Sequence, residues 1–324
     1  MKGAIIGFGN IAEHGHLPAH KKLGIDIVVA VDICPKRREL AEEYGLRAYE
    51  SLDSMMQNER LDFIDICTPP NYRLEVVEFA VENGLDVICE KPICHTDEIE
   101  KMKKIVRRGD IFFFPVHNWK YSPHYQKAKE LIRSNGGDLE KIHMDTLRTS
   151  FSTGTRDWNP NWRIEPDISG GGILMDHGYH NIYLAMFLFG CDFKRARLND
   201  MEFFENSNIE KKVNCRLEFC CNGNVSCDGS VEMNLEWNSD KREIKNIFYT
   251  DHTKIELWDK KLVFNDKIYE FEHALSGDSV HGAWYVDVFA DFVEKRGLKD
   301  GKYFREGIKV IEGIKELYRQ SWAL

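Results

Sequence analysis

The chain of 324 residues predicts an α/β fold in two domains. A doubly wound parallel sheet should form the amino-terminal part, and an α+β domain on a mostly antiparallel sheet the remainder. Three observations carry this expectation. Up to about residue 115, short apolar runs alternate with helical stretches, which is the rhythm of a parallel sheet. Beyond about residue 140 the apolar runs come in pairs at hairpin spacing. The length also exceeds what one core usually holds, while 43% hydrophobic and 12% aromatic residues suffice for two cores and exclude disorder.

Strands are expected at 3–7, 25–31, 63–67, 87–90 and 111–115, each apolar nearly throughout, as when both sheet faces are covered. Helices are expected near 12–23, 36–44, 71–83 and 96–107, joined by right-handed crossovers. One more helix, about 122–134, precedes a change of rhythm. Strands then fall at about 140–150, 213–220, 225–237, 242–250, 254–258 and 261–271, with Asn222-Gly223 and Asn265-Asp266 as tight-turn pairs. A helix at 172–189 interrupts the series, and helices at 281–295 and 303–320 close the chain. The expected division is 1–119 and 120–302, with helix 303–320 able to pack back on the first domain.

Charge and composition exclude several function classes. The formal net charge is −9, and Lys36-Arg37-Arg38, Lys103-Lys104 and Arg107-Arg108 read as solvated helix faces, so no nucleic-acid partner is expected. The longest strongly apolar stretch, 182–189, is too short to cross a membrane, and with a strand expected already at residues 2–7 no leader is expected. Nine cysteines without an export signal point to reduced thiols in a cytoplasm. Cys215, Cys220, Cys221 and Cys227 could suggest zinc, but no C-x-x-C pair or flanking histidine accompanies them. Cys215 and Cys227 instead follow the apolar alternation of a hairpin and read as small core residues, so no metal is expected.

The chemistry begins after the first strand. Gly7-Phe8-Gly9-Asn10-Ile11-Ala12 is a G-x-G-x-x-A turn opening a helix: Gly7 allows the tight turn, Gly9 the approach of a pyrophosphate, and Ala12 close packing. The helix amino terminus offers free N–H groups to phosphates. Asp32 ends the second strand twenty residues after Ala12, where a carboxylate accepts adenosine ribose hydroxyls and repels a 2′-phosphate. NAD(H) is therefore the expected cofactor. Lys36 and Arg37 keep NADP(H) as the second candidate. Thr68, Pro69 and Asn71 in Cys67-Thr68-Pro69-Pro70-Asn71 follow the next core strand at the same sheet edge, where they could meet the cofactor or simply start a helix.

Glu90-Lys91-Pro92 closes another apolar strand and puts a lysine at its carboxyl end, the edge at which open parallel sheets bind ligands. In the second domain Ser169-Gly170-Gly171-Gly172 leads into a helix on which Asp176 and His180 stand four apart. Histidine titrates near neutrality and can exchange a hydroxyl proton, and a nearby carboxylate can orient it or grip a substrate hydroxyl. The glycine run lets backbone approach a ligand or another element. His177 faces elsewhere and reads as structural. Trp158, Trp162 and Arg163 lie in a loop at 151–168 that suits a polyhydroxylated ligand or packs on itself.

These motifs together resemble the Gfo/Idh/MocA family, the glucose–fructose oxidoreductase and inositol dehydrogenase group. The likeness runs along nearly the whole chain: GFGNIA at 7–12, Asp32, CTPPN at 67–71, EKP at 90–92, HNWKYSP at 117–123 and GGG-x-L-x-D-x-G-x-H at 170–180. It implies a Rossmann domain followed by a domain whose open antiparallel sheet forms oligomer contacts, hence a homodimer or homotetramer. It also implies Lys91, Asp176 and His180 as a catalytic trio. His180 would take the proton, Lys91 would hold the reacting hydroxyl and favour its alkoxide, and Asp176 would position substrate. Glu90 and Lys91 would also border the cofactor. Two departures bear on specificity. Tyr183 stands where many relatives have aspartate, and Asn118-Trp119-Lys120-Tyr121 stands where relatives often carry arginines. Asn118, Lys120 and Tyr121 are therefore candidate substrate contacts.

The expected activity is hydride transfer between a nicotinamide and a hydroxyl-bearing carbon of a sugar, sugar derivative or cyclitol. Two alternatives stand beside it: a redox-neutral enzyme that cleaves or eliminates a glycoside through transient oxidation by NAD, and a non-catalytic sugar sensor on the same fold. Retention of Lys91, Asp176 and His180 together speaks against the sensor.

Overall fold

The structure is a computed structural model that describes residues 1–134, 138–221, 229–277 and 281–321. The chain divides into two compact units. The first comprises Met1–Val116, Ser152–Gly170 and His281–Ile311, and the second His117–Phe151, Gly171–Val280 and Glu312–Leu324.

The first unit is built on six parallel strands: β1 (Lys2–Ile6), β2 (Asp26–Val31), β3 (Arg47–Tyr49), β4 (Phe63–Ile66), β5 (Asp86–Cys89) and β6 (Phe113–Pro115). Their order is β3-β2-β1-β4-β5-β6. The order reverses between β1 and β4, so the turns after these strands open at the topological switch point. Ile5, Val29, Ile64, Ile66, Val87 and Ile88 are fully buried, which explains why these strands read as unbroken apolar runs. Helix Pro35–Glu43 starts with proline at its first position, where the missing N–H costs nothing. Helix His281–Lys295 adds Phe289 and Phe292; Phe289 stacks on His20 at 4.0 Å between centroids. β3 and the helix Leu52–Asn58 behind it were not expected. Three residues are too few to show a period, and Ser51 caps the helix through a local capping box rather than an apolar stripe.

The second unit carries eight strands: β7 (Leu139–Leu147), β8 (Phe193–Phe203), β9 (Glu210–Phe219), β10 (Gly229–Glu236), β11 (Glu243–Thr250), β12 (Lys254–Trp258), β13 (Lys261–Phe264) and β14 (Lys267–Glu270). The order is β14-β13-β12-β11-β7-β10-β9-β8, antiparallel except between β7 and β10. Helices Pro123–Ser134 and Tyr179–Phe189 cover one face. The run at 261–271 is two strands, turned by Asn265 and Asp266 at φ 46° and 62°, the left-handed pair a two-residue hairpin needs. β8 was not expected because charged residues fill most of its exposed face. The Asn222-Gly223 turn and Cys227 lie outside the described residues.

Cysteine usage needs one correction. Cys215 is a buried core residue of β9, but Cys191 and Cys221 are joined in a disulfide, so the thiols are not all reduced. Their sequence separation of 30 gave no motif by which to see the pairing. Among the described residues no helix is long and apolar enough to cross a membrane.

Candidate active site

In the first unit the turn after β1 is shaped by Gly7, whose φ is +87°; a Cβ there would stand 3.0 Å from the Thr68 backbone nitrogen. The Phe8 amide donates to Asp32 Oδ2 at 2.7 Å and the Cys34 amide to Oδ1 at 2.8 Å, which binds the carboxylate to the glycine turn. The Phe8 ring and Ala12 are fully buried, so Phe8 can meet a ligand only through its backbone. Gly9, Asn10 and Ile11 remain at least partly exposed. Arg37, the second candidate contact for a 2′-phosphate, is turned inward. Its guanidinium donates to the Phe8 carbonyl at 2.6 Å and to Glu13 at 2.8 Å. Lys36 is exposed and lies 3.7 Å from Asp157.

Thr68 Oγ1 and Asn71 Oδ1 are buried without a protein partner, in the turn after β4. Such orphaned polar atoms beside an open glycine turn fit a dinucleotide that would satisfy them. Segment 152–170 belongs to this unit. Thr155 comes near Gly9, Trp158 meets the Tyr72 ring edge-on at 6.5 Å, and Arg163 lies over Trp162 at 4.2 Å.

Lys91 follows β5, half-buried, and its peptide bond to Pro92 is cis. The residue before it is fixed from two sides. Arg73 donates to the carbonyls of Thr68, Glu90 and Pro92, with 2.5 Å to Glu90. The Glu90 carboxylate turns inward, accepting the Lys91 amide at 3.0 Å, Tyr285 Oη at 2.7 Å and His16 Nε2 at 3.0 Å. His16 Nδ1 lies 2.8 Å from Asp65 Oδ2, which His20 Nε2 also meets at 2.7 Å. Burial pushes His16 down, but Asp65 and Cys67 together outweigh it and hold the imidazole well above its usual range. Burial, with the charge of His16 beside it, carries His20 the other way despite Asp65.

His16, Asp65 and Cys67 offer three potential metal-ligand atoms within 4.8 Å. Both His16 nitrogens are, however, taken by carboxylates, which makes the cluster a hydrogen-bonded network.

In the second unit a Cβ on Gly171 would fall 2.0 Å from Tyr318 Oη, and one on Gly172 2.1 Å from the Glu210 carbonyl. The glycine run thus serves close approach to another element. Buried Glu210 accepts the amides of Gly172 at 2.8 Å and Leu174 at 2.9 Å, and the Tyr318 hydroxyl at 2.8 Å. It caps the π-helical turn Leu174–Gly178, which runs into helix Tyr179–Phe189. Asp176 lies on the π-turn, with Oδ2 3.7 Å from His177 Nε2. His180, 4% exposed, stacks on Trp119 with centroids 4.4 Å apart, and its Nδ1 lies 2.7 Å from the Tyr183 hydroxyl. That hydroxyl also accepts the Trp119 amide at 3.0 Å, while His117 stacks on the Tyr183 ring at 4.3 Å. Asn118 is buried beside Trp119, and Lys120 lies 5.3 Å over the Tyr121 ring.

The Tyr183 hydroxyl therefore fixes the orientation of the His180 imidazole. Gly7, Asp32, Thr68, Glu90 and Lys91 are held within the first unit, and Asp176, His180 and Asn118 within the second. Reading the sequence missed His16, Glu210 and Tyr318. The legible signal was Asp65, a lone carboxylate in an apolar parallel strand, which requires a buried partner.

Comparison with known proteins matches residues 1–115 to the oxidoreductase family, NAD-binding Rossmann fold, of the GFO/IDH/MocA group, and residues 125–244 to the GFO/IDH/MocA C-terminal domain. "Oxidoreductase P35" of Formosa agariphila is 28% identical over 75% of this chain and 74% of its own length. "D-glucoside 3-dehydrogenase" of Escherichia coli is 27% identical over 59% of this chain, and an uncharacterized Saccharomyces cerevisiae protein 30% identical over 57%. The match spans about half the length of these last two, 54% of each. Among solved structures, a levoglucosan dehydrogenase with NADH and levoglucosan superposes with TM-score 0.80 at 18% identity, covering 99% of this chain and 98% of that one. An oxidoreductase from Thermotoga maritima gives 0.81 at 20% identity, covering 98% and 96%.

Proposed function

This chain belongs to the GFO/IDH/MocA oxidoreductase family, and from that premise we propose that it is an NAD(P)-dependent dehydrogenase acting on a secondary hydroxyl of a sugar, sugar derivative or cyclitol. One observation carries the reading: the imidazole of His180 is buried against Trp119 with Nδ1 held by Tyr183, the fixed setting that a proton acceptor needs. When Nδ1–H donates to Tyr183, the basic lone pair of that tautomer lies on Nε2, the atom proposed to take the substrate hydroxyl proton. Asp176 accepts a neighbouring hydroxyl and fixes the ring's orientation. Lys91, stationed by the Glu90 and Arg73 contacts, stabilises the alkoxide as the proton leaves. Glycines 7 and 9, Thr68 and Asn71 hold the dinucleotide, which supplies the hydride acceptor, and Asp32 receives the adenosine ribose. Asp32 and the inward-turned Arg37 favour NAD over NADP. Asn118, Lys120, Tyr121, Trp158, Trp162 and Arg163 are proposed substrate contacts, of which the last three belong to the cofactor-bearing unit.

Names among the relatives support a sugar as substrate: a D-glucoside 3-dehydrogenase and a D-apiose dehydrogenase. The face of the eight-stranded sheet opposite helices Pro123–Ser134 and Tyr179–Phe189, with pairs such as Lys141–Glu232 at 2.9 Å, is the proposed contact between copies. The test is a screen of methyl D-glucosides, D-xylose, D-apiose, levoglucosan and myo-inositol with NAD and with NADP, read at the NADH absorbance band. Turnover of one of these supports the reading. Consumption of a glycoside without net NADH would assign redox-neutral chemistry instead.

A further inference from the structure

A buried network beneath Lys91 ends on the residue next to it, Glu90. His16 and Asp65 are fully buried, and Glu90 is 5% exposed. An imidazole with a carboxylate on each nitrogen is held as imidazolium, and it offsets two buried negative charges that would otherwise be very costly. One Glu90 oxygen receives His16 and Tyr285, while the other receives the Lys91 amide. The Tyr285 ring also lies 4.5 Å from that of His16, so both donors are fixed to one oxygen. Such a carboxylate has one position, and with it the backbone of Lys91 has one position.

We propose that His16, with Tyr285, is a positioning residue for Lys91, acting through the Glu90 carboxylate. The inference rests on the reading that Lys91 meets the reacting hydroxyl. Displacement of a catalytic group by about 1 Å can cost about 100-fold in rate, so a loosened Glu90 should appear in kcat before it appears in cofactor affinity.

The two amide substitutions separate position from stability. An asparagine amide places its nitrogen near the former Nδ1 and keeps the bond to Asp65; a glutamine amide reaches the former Nε2 and keeps the bond to Glu90. In His16→Asn, hydrogen exchange of the Lys91 amide should accelerate by about tenfold or more and kcat should fall about tenfold or more, with NADH affinity within about twofold of wild type. In His16→Gln both should recover toward wild type, even though this variant melts at the lower temperature. Tyr285→Phe, which keeps the ring, should give an intermediate loss, and it serves alone if His16→Asn does not fold. Activity is read on the sugar that gives most NADH in the screen above; the exchange measurement needs no substrate. Unchanged Lys91 exchange in His16→Asn and Tyr285→Phe, or activity that follows melting temperature across the series, overturns the proposal. Lys91→Ala, run alongside, separates the two readings. If it retains turnover, the role given to Lys91 fails. If it is inactive while Lys91 exchange is indifferent to His16 and Tyr285, only the positioning role fails.

Discussion

At the scale of single residues, the roles assigned to Tyr183 and Asp32 make separate predictions. The Tyr183 hydroxyl is 2.7 Å from His180 Nδ1, and removing it frees the imidazole to turn or to change tautomer. Tyr183→Phe should lower kcat about tenfold while leaving NADH affinity unchanged, as steady-state kinetics and NADH fluorescence titration would show. An equal loss in both would make Tyr183 a packing residue. Asp32 is tied to the Phe8 and Cys34 amides, so Asp32→Ala should weaken NAD about tenfold more than NADP; equal weakening would remove the carboxylate from the ribose site. His16 predicts a pH dependence. Asp65, Cys67, Glu90, His20 and Tyr285 surround it, and its pKa in the folded state lies well above the ordinary histidine value. Stabilisation by a group raised in this way is complete below its unfolded pKa and is lost as pH rises through the folded one. Melting temperature should therefore decline on the alkaline side, and that decline should be smaller in His16→Gln. The Cys67 and Cys89 thiols, pushed up to about 12 by burial, act in the same direction and remain in both proteins.

At the scale of elements, legibility followed period and length. β1, β2, β4 and β5 announced themselves because their residues are buried on both faces. β3 has three residues and β8 alternates imperfectly under charged side chains, so neither left a period to read. Two π-helical turns, Ala12–His16 and Leu174–Gly178, lie at the two candidate-site segments. Composition carries no signal for a π-turn, because the extra residue is accommodated by tertiary contacts. A glycine run by itself suits approach to a ligand or to another element, and here Glu210 and Tyr318 are the element approached. Since a Cβ on Gly171 would fall 2.0 Å from Tyr318 Oη, Gly171→Ala should destabilise the protein by about 2 kcal/mol or more, measured by denaturant unfolding. A stability within experimental error of wild type would mean that the backbone there relaxes freely.

At the scale of the whole molecule, the sequence showed two kinds of sheet because their rhythms differ, but not the route of the chain. Segments 152–170 and 281–311 join the nucleotide-binding unit from far along the sequence, through contacts such as Trp158 with Tyr72 and Tyr285 with Glu90. Nothing local marks such returns. The helix Lys302–Ser321 begins in the first unit, with Phe304 against Phe113, and ends in the second, with Tyr318 on Glu210. Each unit thus has a buried carboxylate, Glu90 or Glu210, that fixes the backbone beside a proposed catalytic residue. The central claim is that Lys91 acts on the reacting hydroxyl, and its most direct test is Lys91→Ala assayed for both NADH affinity and turnover. Affinity should stay within about twofold of wild type, and turnover should fall by about 100-fold or more. Turnover near that of wild type would contradict the claim.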